Sequence, residues 1–484
     1  PNSNICPVCT GQPGVLPVLN KKTVEFAVIT GVALNCKIAE RSVFARKNYF
    51  YPDLPKNYQI SQYELPTCEK GFLEIASDDV HSSFRKKIGI TRVHLEEDAG
   101  KLIHEIGSQE LDYSLVDFNR TGIPLLEIVS EPDISSPDEA YQYLTGLKAI
   151  LKYIGISDCD MEKGSLRCDA NISIRNVGEK KLGTKVELKN MNSFRAIRDA
   201  LNYEIERQKE ALSSNEKIVQ DTRLWDEKSG TTISMRSKEG SFDYRYFPEP
   251  DLLPIEIDDK FLAEIKKNLV ELPSARKKRF SELFGLSDYD AGVLTSEKSI
   301  ADYFETCLNC FQLPTDIIPR PDFVGAPLLE KGECLAGLKP CPTVFIAKQL
   351  SNWITTELLG KLNADNKDIT SSSVSSENLA EMIKLIYNDT ISGKIAKTVF
   401  EQMYKSGKNA SEIVREQGLI QISDEKEIEK LVGEAIAENP KAVTEYKSGR
   451  QQAAGAIVGA VMKKSAGKAN PKMVNEILKK KILR

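Results

Sequence analysis

Alternation of apolar and polar side chains with a period of two residues is the feature that most constrains how this chain folds. In the segment 168–175, apolar Cys168, Ala170, Ile172 and Ile174 alternate with Asp169, Asn171, Ser173 and Arg175. The same period recurs in the segments 88–96 and 185–189. Because successive side chains of a β-strand point to opposite faces, this period is typical of a strand packed on one face and wet on the other. We therefore predict antiparallel strands in all three segments.

Acidic and basic side chains are mixed on the wet faces of these predicted strands. The mixed sets are Arg92, His94 and Glu96 on one strand and Lys185, Glu187 and Lys189 on another. Glu97 follows the first set at the strand end, where a bulge would turn it to either face. Clustered carboxylates suit hard cations such as Mg²⁺, which take oxygen ligands. The pattern favours a charged binding site, and the alternative is a set of solvated outer faces.

Length and composition limit the class of protein. A chain of 484 residues predicts two to four domains, because one core rarely grows past about 250–300 residues. There is no run of 18 apolar residues, so we expect no membrane span. Ten cysteines at scattered spacings favour reduced thiols over a disulfide framework.

Charge is distributed unevenly along the chain. Residues 441–484 hold eleven Lys/Arg and two acidic residues, a net charge of +9, so the preceding 440 residues carry −13 of the total of −4. An acidic body with a basic C-terminal segment indicates a polyanionic partner held at one end. The alternative is a helical tail that only improves solubility.

The periodicity of apolar residues changes along the chain and predicts an α+β fold. Residues 1–268 alternate like strands, apart from two helices predicted at about 137–153 and 193–212. Residues 269–407 predict an all-α helical domain, with a segment rich in Pro and Gly inserted near 313–344. Residues 408–484 predict a separate basic helical tail.

Familiar nucleotide-binding loops are missing from the sequence. It has neither a G-x-x-x-x-G-K-[ST] loop nor a G-x-G-x-x-G turn opening a helix, so any nucleotide must be held by metal-bound carboxylates and by Arg or Lys. The segments 46–63 and 243–251 interleave basic and aromatic residues. Such segments stack on nucleobases and contact phosphates, or form a rigid loop packed on the sheet.

Cys6 and Cys9 have the spacing of half a structural zinc site. Tetrahedral zinc needs two more ligands, and no second pair of ligands lies nearby in the sequence. The alternative is two free thiols.

Several long motifs resemble GatB, one of the three proteins that form the tRNA-dependent amidotransferase GatCAB. They are Arg46-Lys-Asn-Tyr-Phe-Tyr-Pro-Asp, His94-Leu-Glu-Glu-Asp-Ala-Gly-Lys, Asp117-Phe-Asn-Arg-Thr-Gly-Ile-Pro-Leu-Leu-Glu-Ile-Val-Ser-Glu-Pro-Asp, Gly164-Ser-Leu-Arg-Cys-Asp-Ala-Asn, Glu187-Leu-Lys-Asn and Asp243-Tyr-Arg-Tyr-Phe-Pro-Glu-Pro-Asp. The resemblance covers essentially the whole chain. It implies a cradle domain similar to glutamine synthetase, then a helical domain and a tail similar to YqeY proteins.

The resemblance also implies an activity, cofactors and partners. Members use ATP and Mg²⁺ to phosphorylate the side-chain carboxylate of Glu-tRNA(Gln) or Asp-tRNA(Asn). Ammonia, released from glutamine by the amidase partner GatA, then displaces phosphate, and the small partner GatC completes the heterotrimer. By resemblance the basic tail binds the tRNA body, and the location is the bacterial cytoplasm or, alternatively, an organellar matrix or stroma.

Site residues are carried over by matching motifs. Glu97 and Glu187 match the Mg²⁺-binding carboxylates of the family, with Glu96 and Glu127 as nearby candidates. The candidate phosphate ligands are Lys185, Lys189, Arg167, Arg175 and Arg245. Zinc-containing members carry two more cysteines upstream of the pair Cys6 and Cys9.

One departure from the family concerns the start of the sequence. Members usually open with a Gly-Leu-Glu-Val-His strand that supplies a Glu and a His to the metal site, and this sequence begins after it. We expect either an N-terminally shortened chain or a loss of catalysis. The alternatives to a GatB-type protein are the archaeal-type GatE subunit, which carries a larger inserted domain, a non-catalytic tRNA-binding scaffold, which the shortened start favours, and a glutamine-synthetase-like ligase for a small acid, which the basic tail disfavours.

Overall fold

A computed structural model describes the chain in eight ranges: 3–79, 82–107, 109–235, 244–311, 342–421, 424–447, 450–465 and 468–482. Residues 312–341, which include most of the predicted insert near 313–344, lie outside them. The chain divides into two compact units, Pro1–Leu272 and Pro273–Arg484. Within the described ranges, every helix is too short or too polar to cross a membrane.

Strands and helices are mixed in the first unit. Its described strands are β1 (Lys37–Ile38), β2 (Arg41–Ser42), β3 (Ala45–Asn48), β4 (Tyr58–Ser61), β5 (Cys68–Asp79), β6 (Ser82–Glu97), β7 (Lys101–Ile106), β8 (Gln109–Asp117), β9 (Pro124–Ser130), β10 (Ala170–Ile172), β11 (Val186–Lys189), β12 (Asp221–Asp226), β13 (Thr231–Ser234), β14 (Phe247–Pro248) and β15 (Ile255–Glu256). Its described helices are α1 (Lys21–Ala33), α2 (Pro137–Tyr153), α3 (Phe194–Ser213) and α4 (Asp259–Asn268).

The longest strands form an antiparallel sheet in the order β1-β5-β6-β9. The neighbours β6 and β9 are connected through a two-stranded hairpin, β7-β8. Ile88, Ile90 and Val93 of β6 are buried in a core that α2 and α3 complete. The strand predicted from the alternation between Ile88 and Glu96 is therefore confirmed. A bulge between Ile90 and Arg92 shifts the alternation of side chains between the two faces by one residue.

A second sheet has the order β10-β11-β12-β13. β11 pairs antiparallel with β10, as its alternation predicted, and parallel with β12. Val186 and Leu188 are fully buried, so the opposite face of β11 carries Glu187 and Lys189. The segment 168–175 forms a strand only over β10, because the chain leaves the ladder before Arg175.

Both predicted helices of the first unit are confirmed within a residue or two. Ser136 caps α2 by accepting a hydrogen bond from the backbone N–H of Glu139, and Ser193 caps α3 through the N–H of Ala196. Such caps satisfy amide groups that lack a partner inside the helix. The apolar stripes of both helices then pack into the core of the first unit.

Helices make up the described part of the second unit. They are α5 (Pro273–Phe284), α6 (Asp288–Leu294), α7 (Lys298–Asn309), α8 (Pro342–Asn352), a π-helical turn (Trp353–Leu358), α9 (Leu359–Ala364), a 3₁₀ turn (Ile369–Ser371), α10 (Ser376–Tyr387), α11 (Gly393–Ser406), α12 (Ala410–Glu416), α13 (Glu425–Glu438), α14 (Pro440–Lys447), a second 3₁₀ turn (Gln451–Ala453), α15 (Ala454–Lys464) and α16 (Pro471–Ile482). The α+β order predicted from the sequence is therefore confirmed at this level.

Two separate cores hold the second unit together. One contains buried residues from Phe280 to Val414, and the other contains residues from Ile428 to Ile482. The boundary predicted after residue 407 falls before α12, whose buried Ala410 and Ile413 belong to the first of these cores. The three-domain division of the sequence stays a prediction.

Candidate functional site

Three potential metal ligands converge on the face shared by β6 and β9. His94 and Glu96 point the same way because they are two residues apart on β6, and Glu127 of β9 lies opposite His94 in the ladder. One ligand atom from each of the three lies within 4.8 Å of the others. His94 Nε2 is 3.9 Å from Glu96 Oε2 and 3.6 Å from Glu127 Oε2.

Burial sets the charge states of this triad, defined as His94, Glu96 and Glu127. Burial, with Arg92 and Lys47 adding positive charge, lowers the pKa of His94 to about 4, so the imidazole is neutral at pH 7. Burial, followed by repulsion from Glu127, raises the pKa of Glu96 to about 7. A cation between the carboxylates would relieve this repulsion.

The donor set fits a divalent ion. Two carboxylates supply the oxygen ligands that Mg²⁺ prefers, and half of the Glu127 side chain is open to water. Imidazole nitrogen is a softer ligand than Mg²⁺ favours, so Glu96 and Glu127 are better candidate ligands for such an ion than His94. Within the described part of the chain, the buried Nδ1 of His94 has no hydrogen-bond partner.

Basic side chains surround the triad. Burial raises the pKa of Glu96, and the positive charges of Lys47 and Arg167 oppose this rise. Burial lowers the pKa of His94, and the positive charge of Arg92 adds to this effect. The nearly buried Asp98 orients Arg167, whose Nη2 donates to Asp98 Oδ1 at 2.8 Å. Arg120 Nη2 reaches the other oxygen of Asp98 at 3.1 Å. Arg167 is thus placed near the carboxylate of Glu96, and its phosphate role stays a prediction.

Glu97 lies on the other face of β6. It stays in register opposite Pro124, so it alternates away from Glu96. Its side chain accepts a hydrogen bond from the N–H of Ile60 at 2.8 Å and forms an ion pair with the buried Lys56. The bulge considered at the strand end lies instead between Ile90 and Arg92, and therefore does not turn Glu97 toward the triad.

Glu187 belongs to the second sheet. The hydroxyl of Thr222 donates to its Oε2 at 3.0 Å, and Lys189 Nζ lies 3.5 Å from its Oε1. Lys189 also pairs with Asp169 at 3.0 Å. Among the described contacts, none joins Glu187 to Glu97, and their assignment to one Mg²⁺ stays a prediction.

The remaining predicted phosphate ligands are dispersed. Arg175 Nη1 donates to the carbonyl of Lys180 at 2.8 Å, and Lys185 is exposed just before β11. Arg245 is exposed, has a positive φ of 44°, and its carbonyl accepts from Asn48 Nδ2 at 2.7 Å. Their roles stay predictions.

Cys6 and Cys9 face each other across a turn, in which the N–H of Thr10 donates to the carbonyl of Cys6. Burial, followed by the charge of Cys6, raises the pKa of Cys9 to about 11, whereas the backbone of Cys9 lowers the pKa of Cys6. Zinc binding stays a prediction.

Three tyrosine rings pack against one another near the triad. Pairing of β14 with β3 places Phe247 opposite Arg46 and brings the segment 244–247 over the segment 45–48. Tyr63 and Tyr246 stack with ring centroids 4.3 Å apart and planes 12° apart. Tyr244 meets Tyr246 edge-on at 6.2 Å. The sequence indicated both segments but not that they adjoin each other.

Comparisons with known proteins define the class. The profile of the GatB/GatE catalytic domain matches residues 1–263, and the profile described as GatB domain matches residues 343–482. The first match alone spans more than half of the chain.

Three relatives, each named as the B subunit of aspartyl/glutamyl-tRNA(Asn/Gln) amidotransferase, extend this result to the whole chain. The protein of Carboxydothermus hydrogenoformans is 52% identical over 482 residues, covering 100% of this chain and 92% of the relative. That of Thermodesulfovibrio yellowstonii is 51% identical, covering 99% and 92%. That of Thermotoga petrophila is 50% identical, covering 99% and 92%. The chain therefore belongs to the GatB family.

Proposed function

We propose that this chain is the component of a tRNA-dependent amidotransferase that activates a carboxylate with ATP. The substrates are Glu-tRNA(Gln), Asp-tRNA(Asn) or both, and the products are the corresponding Gln-tRNA and Asn-tRNA. The names of the relatives support this substrate class. The single observation that carries the proposal is the convergence of Glu96 and Glu127 beside buried His94, under a group of basic side chains.

The chemistry follows from the poor reactivity of a carboxylate toward ammonia. A carboxylate oxygen of the substrate attacks the γ-phosphorus of ATP, the bond to the bridging oxygen breaks, and ADP leaves. Ammonia then attacks the carbonyl carbon of the acyl phosphate. The C–O bond to phosphate breaks, ammonia gives up a proton, and an amide remains. Positioning and charge neutralisation are the main needs of phosphoryl transfer.

The residues around the triad match these needs. Glu96 and Glu127 would hold Mg²⁺, which when bound neutralises phosphate charge. Lys47, Arg92 and Arg167 lie where they would neutralise further phosphate oxygens. His94 is buried and neutral at pH 7, so it adds no positive charge that would repel the ion.

We also propose the finer architecture and the partners. The sheet of the first unit corresponds to a cradle similar to glutamine synthetase. The amidase GatA supplies ammonia from glutamine, and the small protein GatC completes the assembly. The core of residues 428–482 forms a YqeY-like tail that binds the tRNA body. Exposed Lys479, Lys480 and Lys481 at the end of α16 support this assignment.

Amide formation on tRNA is the direct test. The chain is incubated with misacylated tRNA, Mg-ATP and ammonium, and the amino acid recovered from the tRNA is identified. We expect glutamine or asparagine on the tRNA, with one ADP released per amide. Binding of tRNA without ADP release would support the non-catalytic scaffold. Release of ADP with amidation of a free amino acid would support a small-acid ligase.

A further inference from the structure

Aromatic surface is left open to solvent next to the triad. We call Tyr49, Tyr63, Tyr244 and Tyr246 the tyrosine platform. Tyr63 is 47% exposed although its ring takes part in a parallel stack. Nearby along the chain, Phe50 is 70% exposed and Tyr51 46% exposed. Exposed aromatic surface of this extent, next to a charged site, is typical of a binding surface.

Ring contacts and a hydrogen bond hold the tyrosine platform in place. Tyr244 meets Tyr49 edge-on at 6.1 Å and Tyr246 edge-on at 6.2 Å. Arg92 Nη1 donates to the carbonyl of Tyr63 at 3.4 Å. These contacts fix Tyr246 against Tyr63, and nearly half of the surface of Tyr63 stays exposed. A flat ring added there would extend the stack by one member.

The platform is continuous with the basic group at the triad. Lys47 Nζ lies 4.9 Å from the centroid of the Tyr244 ring, and Lys47 also acts on the carboxylate of Glu96. Burial, followed by Tyr244 and Glu96, raises the pKa of Tyr246 to about 12, so this phenol stays protonated at neutral pH. The tyrosine platform therefore adjoins the side chains of Lys47 and Arg92.

We propose that the tyrosine platform stacks the adenine base of a substrate whose phosphates face Lys47 and Arg92. The assignment rests on the proposed function, because both of its polyanionic substrates carry adenine. One source is ATP itself, and the other is the terminal adenosine of the aminoacylated tRNA. Stacking of a base on an aromatic side chain contributes about 1–3 kcal/mol per base.

Affinity of the whole chain for base-bearing and base-free polyanions tests the assignment. The probes are ATP, inorganic tripolyphosphate and a short RNA hairpin ending in CCA, each in the presence of Mg²⁺. The variants are Tyr63→Ala, Tyr63→Phe and, as a matched control, Tyr113→Ala, which removes an exposed tyrosine from β8. Equal urea midpoints among the variants establish that the fold is intact.

We expect Tyr63→Ala to weaken binding of one base-bearing probe by about fivefold or more, from the stacking energy above. Tripolyphosphate binding stays unchanged, since it has no base to stack. Tyr63→Phe and Tyr113→Ala keep wild-type affinities. A loss confined to ATP identifies the adenine of ATP, and a loss confined to the RNA hairpin identifies the terminal adenosine.

Unchanged affinity for both base-bearing probes in Tyr63→Ala would overturn the assignment. Equal losses for ATP and tripolyphosphate would also overturn it, because a general distortion of the site would produce them. Failure of the proposed function is distinguishable. In that case the wild-type chain forms no amide on tRNA, while the base-dependent difference between Tyr63→Ala and Tyr63→Phe persists.

Discussion

Replacing Glu96 by Gln makes the electrostatic cost of the triad measurable. The pKa of this carboxyl is about 7 in the folded chain, against an ordinary value of 4.5. Because the folded state holds the proton more tightly, the stabilising contribution of this carboxyl is fully present below pH 4.5 and is lost as the pH rises through 7. A shift of this size corresponds to about 3 kcal/mol. The side chain is only 15% exposed, so solvent screening reduces this little.

The free energy of unfolding in urea, measured from pH 4.5 to pH 8.5 with EDTA present, is the assay. Trp225 is buried in the first unit, so a Trp353→Phe background leaves one tryptophan to report on the unit that contains Glu96. Glu96→Gln has no charge to lose. Its stability should match the parent near pH 4.5 and exceed it by about 3 kcal/mol at pH 8.5.

The comparison separates Glu96 from His94. The pKa of His94 is about 4, below its ordinary value of 6.5, so its contribution is lost as the pH falls through that range. This loss affects parent and variant alike. Glu74→Gln, an exposed change opposite Lys87 on β5, should shift stability by less than about 1 kcal/mol. A difference between Glu96→Gln and its parent that stays constant with pH would refute the reasoning.

Three further changes test other parts of the account. Lys56→Met should lower the free energy of unfolding of the first unit in urea by about 3–5 kcal/mol, because the nearly buried carboxylate of Glu97 loses its ion-pair partner. A loss below about 1 kcal/mol would contradict this. Glu187→Gln should reduce ATP-dependent ADP release while leaving the affinity for tRNA nearly unchanged, and unaltered ADP release would remove Glu187 from the site. Changing Lys479, Lys480 and Lys481 together to Gln should make the plot of log affinity for tRNA against log salt concentration less steep by up to about 2–3. An identical slope would show that these lysines make no phosphate contact.

The sequence predicted the elements better than it predicted their partners. Alternation located β6 and β11, and apolar stripes behind Ser136 and Ser193 located α2 and α3, because these signals are local. Pairing of β6 with β9 is not local, since the hairpin β7-β8 separates His94 from Glu127 along the chain. The triad is therefore not visible in the sequence as a unit, although each member was a candidate or shared a candidate's face.

Side-chain direction at a strand end was the least predictable feature. The motif Glu96-Glu97 offers two carboxylates, and Glu96 shares the face of His94 because it lies two residues further along β6. The sequence left open a bulge at the strand end that would turn Glu97 to either face, and the register of β6 with β9 is regular from Arg92 to Glu97. Asp98, Arg120 and Lys47 were missed as members of the site for a similar reason, because their shared neighbourhood arises from tertiary contacts.

Divalent-ion affinity tests the central claim most directly. Mn²⁺, a paramagnetic substitute for Mg²⁺, is titrated into the metal-free chain at pH 8 and followed by electron paramagnetic resonance. We expect one site whose affinity falls at least tenfold in Glu96→Gln and in Glu127→Gln, while Glu74→Gln keeps the parent affinity. Undiminished Mn²⁺ binding in both triad variants would contradict the account.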